Sequence, residues 1–133
     1  MALLSHALLV VGLPGSGKTH FAQGLARQGW HMVDDITNVN QLPAAQPGLR
    51  VVITDPNFCT PEILAAARAR CAQEYHTVHV VFFENNPAKC LTNVAHRADG
   101  RRVTDLIHRL SRIYQIPDDV QPLKIWQPGE IQH

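Results

Sequence analysis

The feature that most limits what this chain can fold into is a glycine loop set between two different hydrophobic periods. Leu8-Leu9-Val10-Val11 is a short continuous apolar run, the pattern of a strand buried on both faces, and it stops at Gly12. From Thr19 the apolar residues take helical spacing, with Phe21, Ala22, Leu25 and Ala26 on one face and Gly29 placed to cap the C-terminus. Between them, Gly12-Leu13-Pro14-Gly15-Ser16-Gly17-Lys18-Thr19 fits the pattern G-x-x-x-x-G-K-[ST]. Each position has a physical task in holding a triphosphate. Glycines let the backbone wrap closely enough for successive N–H groups to point at phosphate oxygens. The helix start near Lys18 adds its positive dipole end, the lysine adds a point charge, and the Thr19 hydroxyl is a ligand for Mg²⁺. Gly12 through Thr19 are therefore the expected ATP-binding residues.

The rest of the chain continues the alternation. Trp30 to Val33 predicts a second strand ending in Asp34-Asp35, and Leu49 to Thr54 a third ending in Asp55. Thr60-Pro61-Glu62 opens a helix to about Tyr75, Thr77 to Phe83 is a β-branched and aromatic strand, and Asn86-Pro87 opens a helix to about Arg97. Leu106, Ile107, Leu110, Ile113 and Tyr114 recur at helical spacing before Pro117, and Leu123 to Trp126 predicts a fifth strand. The expected fold is α/β: a P-loop NTPase architecture with about five parallel strands and helices on both faces.

At 133 residues with 45% hydrophobic and 17% charged side chains, residues 1–133 are expected to form a single domain with one core. The formal charge of +1 excludes a chain that coats nucleic acid through its global charge. Cys59, Cys71 and Cys90 match no zinc spacing, which points to a reducing, cytoplasmic setting. The apolar stretch from Ala2 to Val11 lacks a basic leader and runs into the glycine loop, so it reads as a core strand and not as a signal or membrane segment. His76 and His79, three apart on a strand, face opposite sides and read as structural.

In an open parallel sheet the ligand sits beyond the carboxyl ends of the strands, which puts Asp34, Asp35 and Asp55 on the edge that carries the loop. Phosphoryl transfer needs one carboxylate to accept the attacking hydroxyl's proton and usually another to hold Mg²⁺ or its waters. One member of the Asp34-Asp35 pair is expected to cap a turn, and Asp55, followed by Pro56-Asn57, reads equally as a turn residue or as a metal ligand beside Thr19. Six Lys or Arg side chains against two acids lie between positions 89 and 112. Of these, Arg97, Arg101 and Arg102 flank Gly100 in a turn placed to close over a triphosphate and neutralise charge on the transferring group.

Over nearly its whole length the chain resembles the P-loop kinase domain of the phage-type polynucleotide kinases. The resemblance rests on the Gly12–Thr19 loop, on Val33-Asp34-Asp35, on Ile53-Thr54-Asp55-Pro56-Asn57, and on His96-Arg97 followed by Arg101-Arg102. It implies that Asp34 is the general base and that Arg97 is the lid arginine. The chain departs from that pattern where Thr37 replaces an arginine that grips the acceptor, where Asn93 replaces the first lid arginine, and where Pro56 replaces a threonine. The ATP half matches and the acceptor half does not. A similar group of small phage kinases phosphorylates 5-hydroxymethyluracil in DNA. The resemblance therefore implies an ATP- and Mg²⁺-dependent kinase acting on a nucleic-acid hydroxyl, either the base hydroxymethyl group or a 5′-hydroxyl, in the host cytoplasm if the chain is phage-encoded. Two alternatives remain open. One is a small-molecule nucleotide or metabolite kinase, against which the short Ile36–Gly48 insertion counts; the other is a non-catalytic ATP-binding switch.

Overall fold

A computed structural model describes residues 3–34, 42–95 and 100–125, with only the backbone of residues 100–102. Four strands form one parallel sheet: β1 (His6–Val11), β2 (His31–Asp34), β3 (Arg50–Thr54) and β4 (Thr77–Phe82), in the order β2-β3-β1-β4. The helices are α1 (Lys18–Ala26), α2 (Pro61–Glu74), α3 (Pro87–Val94) and α4 (Gly100–Ile113), with a short 3-10 helix over Pro56–Cys59. Among the described residues, no helix is long and apolar enough to cross a membrane.

The apolar runs form the inner strands because only a strand covered on both faces tolerates so little polar surface. Leu9, Val10 and Val11 of β1 and Val51, Val52 and Ile53 of β3 are buried side by side. The chain leaves β1 through α1 and returns two places to one side, at β2; it leaves β3 through α2 and crosses β1 to β4 on the other side. Right-handed crossovers running in opposite directions put α1 and α2 on opposite faces of the sheet. The neighbouring strands β1 and β3 thus feed connections that diverge, and a crevice opens at their carboxyl ends.

Local signals act as expected at most helix ends. Gly29 takes a left-handed φ of 96° after α1, and the Asn86 side chain accepts a hydrogen bond from the Lys89 N–H at 3.2 Å at the start of α3. Thr60 occupies the N-cap position of α2, but its hydroxyl makes no capping bond; Pro61 at the first turn sets the start. The His76 ring is structural: its Nδ1 accepts the Ser5 backbone N–H at 3.0 Å and joins the starts of β1 and β4.

Among the described residues the expected fifth strand is not formed, and the sheet has four strands. Leu123 makes a single parallel bridge to Phe83, through Leu123 N–H to Phe82 O and Glu84 N–H to Leu123 O, both 2.8 Å. The ladder goes no further because the next inward N–H, of Ile125, is taken by the Glu84 side chain at 3.3 Å. A turn in which Val120 N–H bonds Pro117 O uses up the residues before it. Trp126 lies outside the described residues.

Tyr114, just past α4, locks this end of the sheet. Its buried hydroxyl donates to the carbonyl of Phe83 and lies 3.3 Å from that of Val11, the last residue of β1. Tyr114→Phe leaves those carbonyls without the donor and is expected to lower the unfolding free energy by about 1–2 kcal/mol, measured by urea denaturation. Burial also raises all three thiols, Cys59 to about 12 and Cys71 and Cys90 to about 11, from a usual value of 9.0. The folded chain therefore holds these protons after the unfolded chain has lost them. Stability is expected to fall as pH rises from about 9 towards 11, seen as a lower urea midpoint at pH 10 than at pH 8; equal midpoints would contradict it.

Candidate functional site

The glycine loop joins the end of β1 to the start of α1, at the crevice between β1 and β3. Gly15 and Gly17 have φ of 85° and 103°, a left-handed conformation that side-chain-bearing residues rarely adopt. Gly12 is fixed by space: a Cβ there would stand 2.6 Å from Ser16 Oγ and 3.0 Å from Phe83 Cβ. Gly17 is the N-cap of α1, it supplies no side-chain cap, and the first turn carries no acid. The helix's positive end is left facing the loop, as an anion site requires.

Lys18 is buried, and its Nζ donates to the carbonyls of Gly12 at 2.9 Å and Leu13 at 3.0 Å, so the ammonium is held inside its own loop. Ser16 Oγ is fully buried and makes no hydrogen bond to a described residue. Two left-handed glycines, an uncapped helix start, an inward lysine and an orphaned hydroxyl are a fit for the phosphates of ATP.

The sheet register brings the carboxylate in. Val10, Thr54 and Asp34 are paired across β1, β3 and β2, so all three stand at one carboxyl edge. Asp34 Oδ1 accepts from the Thr54 hydroxyl and lies 3.4 Å from the Thr19 hydroxyl, while its Oδ2 takes no hydrogen bond from a described residue. Thr19 and Asp34 form a donor set of hydroxyl and carboxylate oxygens suited to a hard cation such as Mg²⁺. The carboxylate of Asp55 is buried and accepts the Asn57 N–H at 2.8 Å, which caps the 3-10 helix; of its two expected roles, the turn role is the one seen here.

Asp35, Thr37 and Arg97 lie outside the described residues. Arg101 and Arg102 are in the first turn of α4, where only the backbone is described.

Three features escape the sequence reading. Thr54 is the hydroxyl that anchors Asp34, legible only once the β2–β3 register is known. The Asn93 amide of α3 donates to the Gly15 carbonyl at 2.8 Å, a contact between residues 78 apart. On the α1 side of the loop, Gly17, His20, Phe21, Gly24, Phe83, Leu123 and Lys124 line a cavity of about 320 Å³. The rings of Phe21 and Phe83 meet there edge to face at 6.0 Å. A Cβ added at Gly24, one of the lining residues, would meet nothing within 4 Å.

No protein-family model matches the sequence. The chain is 29% identical over 118 residues to an uncharacterized protein of Acanthamoeba polyphaga mimivirus, covering 82% of this chain and 86% of that protein. Its structure is similar to that of a gluconokinase from Sinorhizobium meliloti 1021, with a TM-score of 0.63 at 14% identity over 95% of this chain and 86% of the other. Neither comparison points to the phage-type polynucleotide kinases in particular. The fold is α/β with a parallel sheet, and the architecture is similar to that of this gluconokinase.

Proposed function

We propose that the chain is an ATP-dependent kinase that transfers the γ-phosphoryl group to an alcohol. The observation that carries this reading is the meeting of a complete phosphate loop with Asp34, whose carboxylate lies 3.4 Å from the Thr19 hydroxyl. Residues Gly12 to Thr19 hold the triphosphate, with Lys18 exchanging its carbonyl partners for phosphate oxygens. The adenosine end occupies the cavity between α1 and Lys124. Thr19 and a neighbouring carboxylate (Asp34 or Asp55) would hold Mg²⁺, which would neutralise charge on the phosphates.

In the transfer step the acceptor oxygen forms a bond to the γ-phosphorus as the bond to the ADP oxygen breaks. The acceptor's proton passes to Asp34, whose Oδ2 is the oxygen left for it. Arg97 and Arg101 are assigned to the transferring group by their place in the basic stretch of sequence around Gly100. Residues 1–133 act as one kinase domain in this reading.

For the acceptor, a small polyhydroxy metabolite is the first choice. A gluconokinase shares the architecture over 95% of this chain, and the chain in turn spans 86% of it, so the short β2–β3 connection is no obstacle to a small-molecule kinase. The order of the Asp34, Asp55 and Arg97 motifs favours a second acceptor, a nucleic-acid hydroxyl, either the hydroxymethyl group of 5-hydroxymethyluracil in DNA or a polynucleotide 5′-end.

Transfer of labelled γ-phosphate from Mg·ATP to a panel of sugar acids and polyols, and to oligonucleotides with a free 5′-hydroxyl or with 5-hydroxymethyluracil and blocked ends, tests the reading. Label is expected on a small acceptor; label confined to an oligonucleotide selects the second acceptor, and tight ATP binding with no acceptor labelled selects the switch. Lys18→Ala is expected to abolish ATP binding. Asp34→Asn is expected to slow transfer by about 10²–10⁴-fold while affinity for metal-free ATP stays within about threefold. Gly24→Leu is expected to weaken ATP by about tenfold but to leave inorganic triphosphate unaffected, since Gly24 lines the cavity proposed for the adenosine end.

A further inference from the structure

The Gly15–Ser16 peptide, at the crest of the phosphate loop, is pinned at both ends. Its N–H donates to Leu13 O at 3.1 Å, closing a turn with Pro14 and Gly15 at the centre. Proline followed by a glycine at φ 85° is the type II arrangement. The carbonyl of the same peptide accepts the Asn93 amide at 2.8 Å. Helix α3 presses on this point: a Cβ on Gly15 would stand 2.7 Å from Cys90 O and 2.8 Å from Val94 Cγ1.

We infer that Asn93 is a positioning residue for triphosphate binding, its amide holding the Gly15 carbonyl against α3 and out of the phosphate cradle. The inference rests on the kinase reading and deepens it. A carbonyl oxygen carries partial negative charge, and one turned towards a phosphate repels it. A loop that samples such orientations binds only through the fraction of molecules in the competent one, which lowers the apparent affinity by that fraction. Cys90 and Val94 already supply the packing between α3 and the loop, so packing alone does not call for a polar residue at position 93. Asparagine is suited to the task because it is a neutral donor of the right length, and Asn93 spends that donor on the loop itself.

The test is Mg·ATP binding by calorimetry together with steady-state kinetics for the wild type, Asn93→Ala, Asn93→Asp and Lys18→Ala. Asn93→Ala is expected to raise the Kd for Mg·ATP by about 3–10-fold, the value of one lost hydrogen bond. Asn93→Asp, nearly isosteric and so retaining the packing, sets a carboxylate against the Gly15 carbonyl and is expected to raise it further. For both variants, kcat and the acceptor KM stay within about twofold, which loss of packing would not allow. Unchanged ATP affinity in both variants, or a parallel fall in ATP affinity, acceptor affinity and Tm, overturns the inference. If Lys18→Ala loses nucleotide while both Asn93 variants bind like the wild type, the positioning role alone falls. If the wild type binds no nucleotide, or Lys18→Ala binds it equally well, the kinase reading falls and takes this inference with it.

Discussion

The hydrogen bonds from the Lys18 ammonium to the carbonyls of Gly12 and Leu13 set the terms for the rest of the structure. An ammonium withdrawn from water is costly unless its donors are met, and here carbonyls of its own loop meet them. That arrangement requires the backbone to turn back over the first residue of α1, which is why glycines stand at the left-handed positions 15 and 17 and at the crowded position 12. It also requires the loop's two ends to stay fixed. Tyr114 ties the end of β1 to the end of β4 from below, and α3 braces the crest through Asn93. The nearby Cys59 and Cys90 thiols are already protonated at neutral pH and burial raises them further, so they add no charge around the lysine.

What could be read from the sequence was what is encoded locally. The buried strands, the loop, the Gly29 cap and the Asn86-Pro87 helix start each depend on residues within a few positions of one another. The failures are long-range. Leu123 to Trp126 has the composition of a strand, yet the Glu84 side chain takes the Ile125 N–H that a fifth strand would have offered to the β4 side. A side chain intercepting a ladder leaves no trace in propensity. Asp34 could be placed at a strand end, but its bond to Thr54 depended on the β2–β3 register, and the Asn93–Gly15 bond on how α3 docks. In the sequence Asn93 was visible only as a missing arginine; in the structure its amide is bonded to the Gly15 carbonyl.

The two faces of the sheet divide the labour. On the α1 side, Gly24 gives up helix propensity worth about 1 kcal/mol relative to alanine, and it lines the cavity beside the loop. On the other side, α2 is mostly exposed, with Cys71 its buried residue, and α3 and α4 pack on each other beneath the loop. The cavity proposed for the nucleotide thereby lies on the α1 face, while the carboxylate that would act on the acceptor comes from β2, at the edge of the sheet.

In so short a chain, few residues can belong to the site without also belonging to the core. Thr54 is fully buried and anchors Asp34; Tyr114 is a core aromatic and holds the strand that carries the loop; Asn93 sits in the helix that packs on α4 and reaches the loop crest. Each is a packing element whose single polar group has been given to the site. Substituting such a residue changes two things at once, the stability of the sheet edge and the aim of a phosphate-facing group. Changes that preserve shape and alter only the polar atom, such as tyrosine to phenylalanine or asparagine to aspartate, separate these effects. The arrangement also explains how a four-stranded sheet suffices here. The hydrogen bonds that would have held a fifth strand along β4 are replaced at its end by Tyr114, Leu123 and Glu84, which fix Phe83 and Val11 where the loop begins.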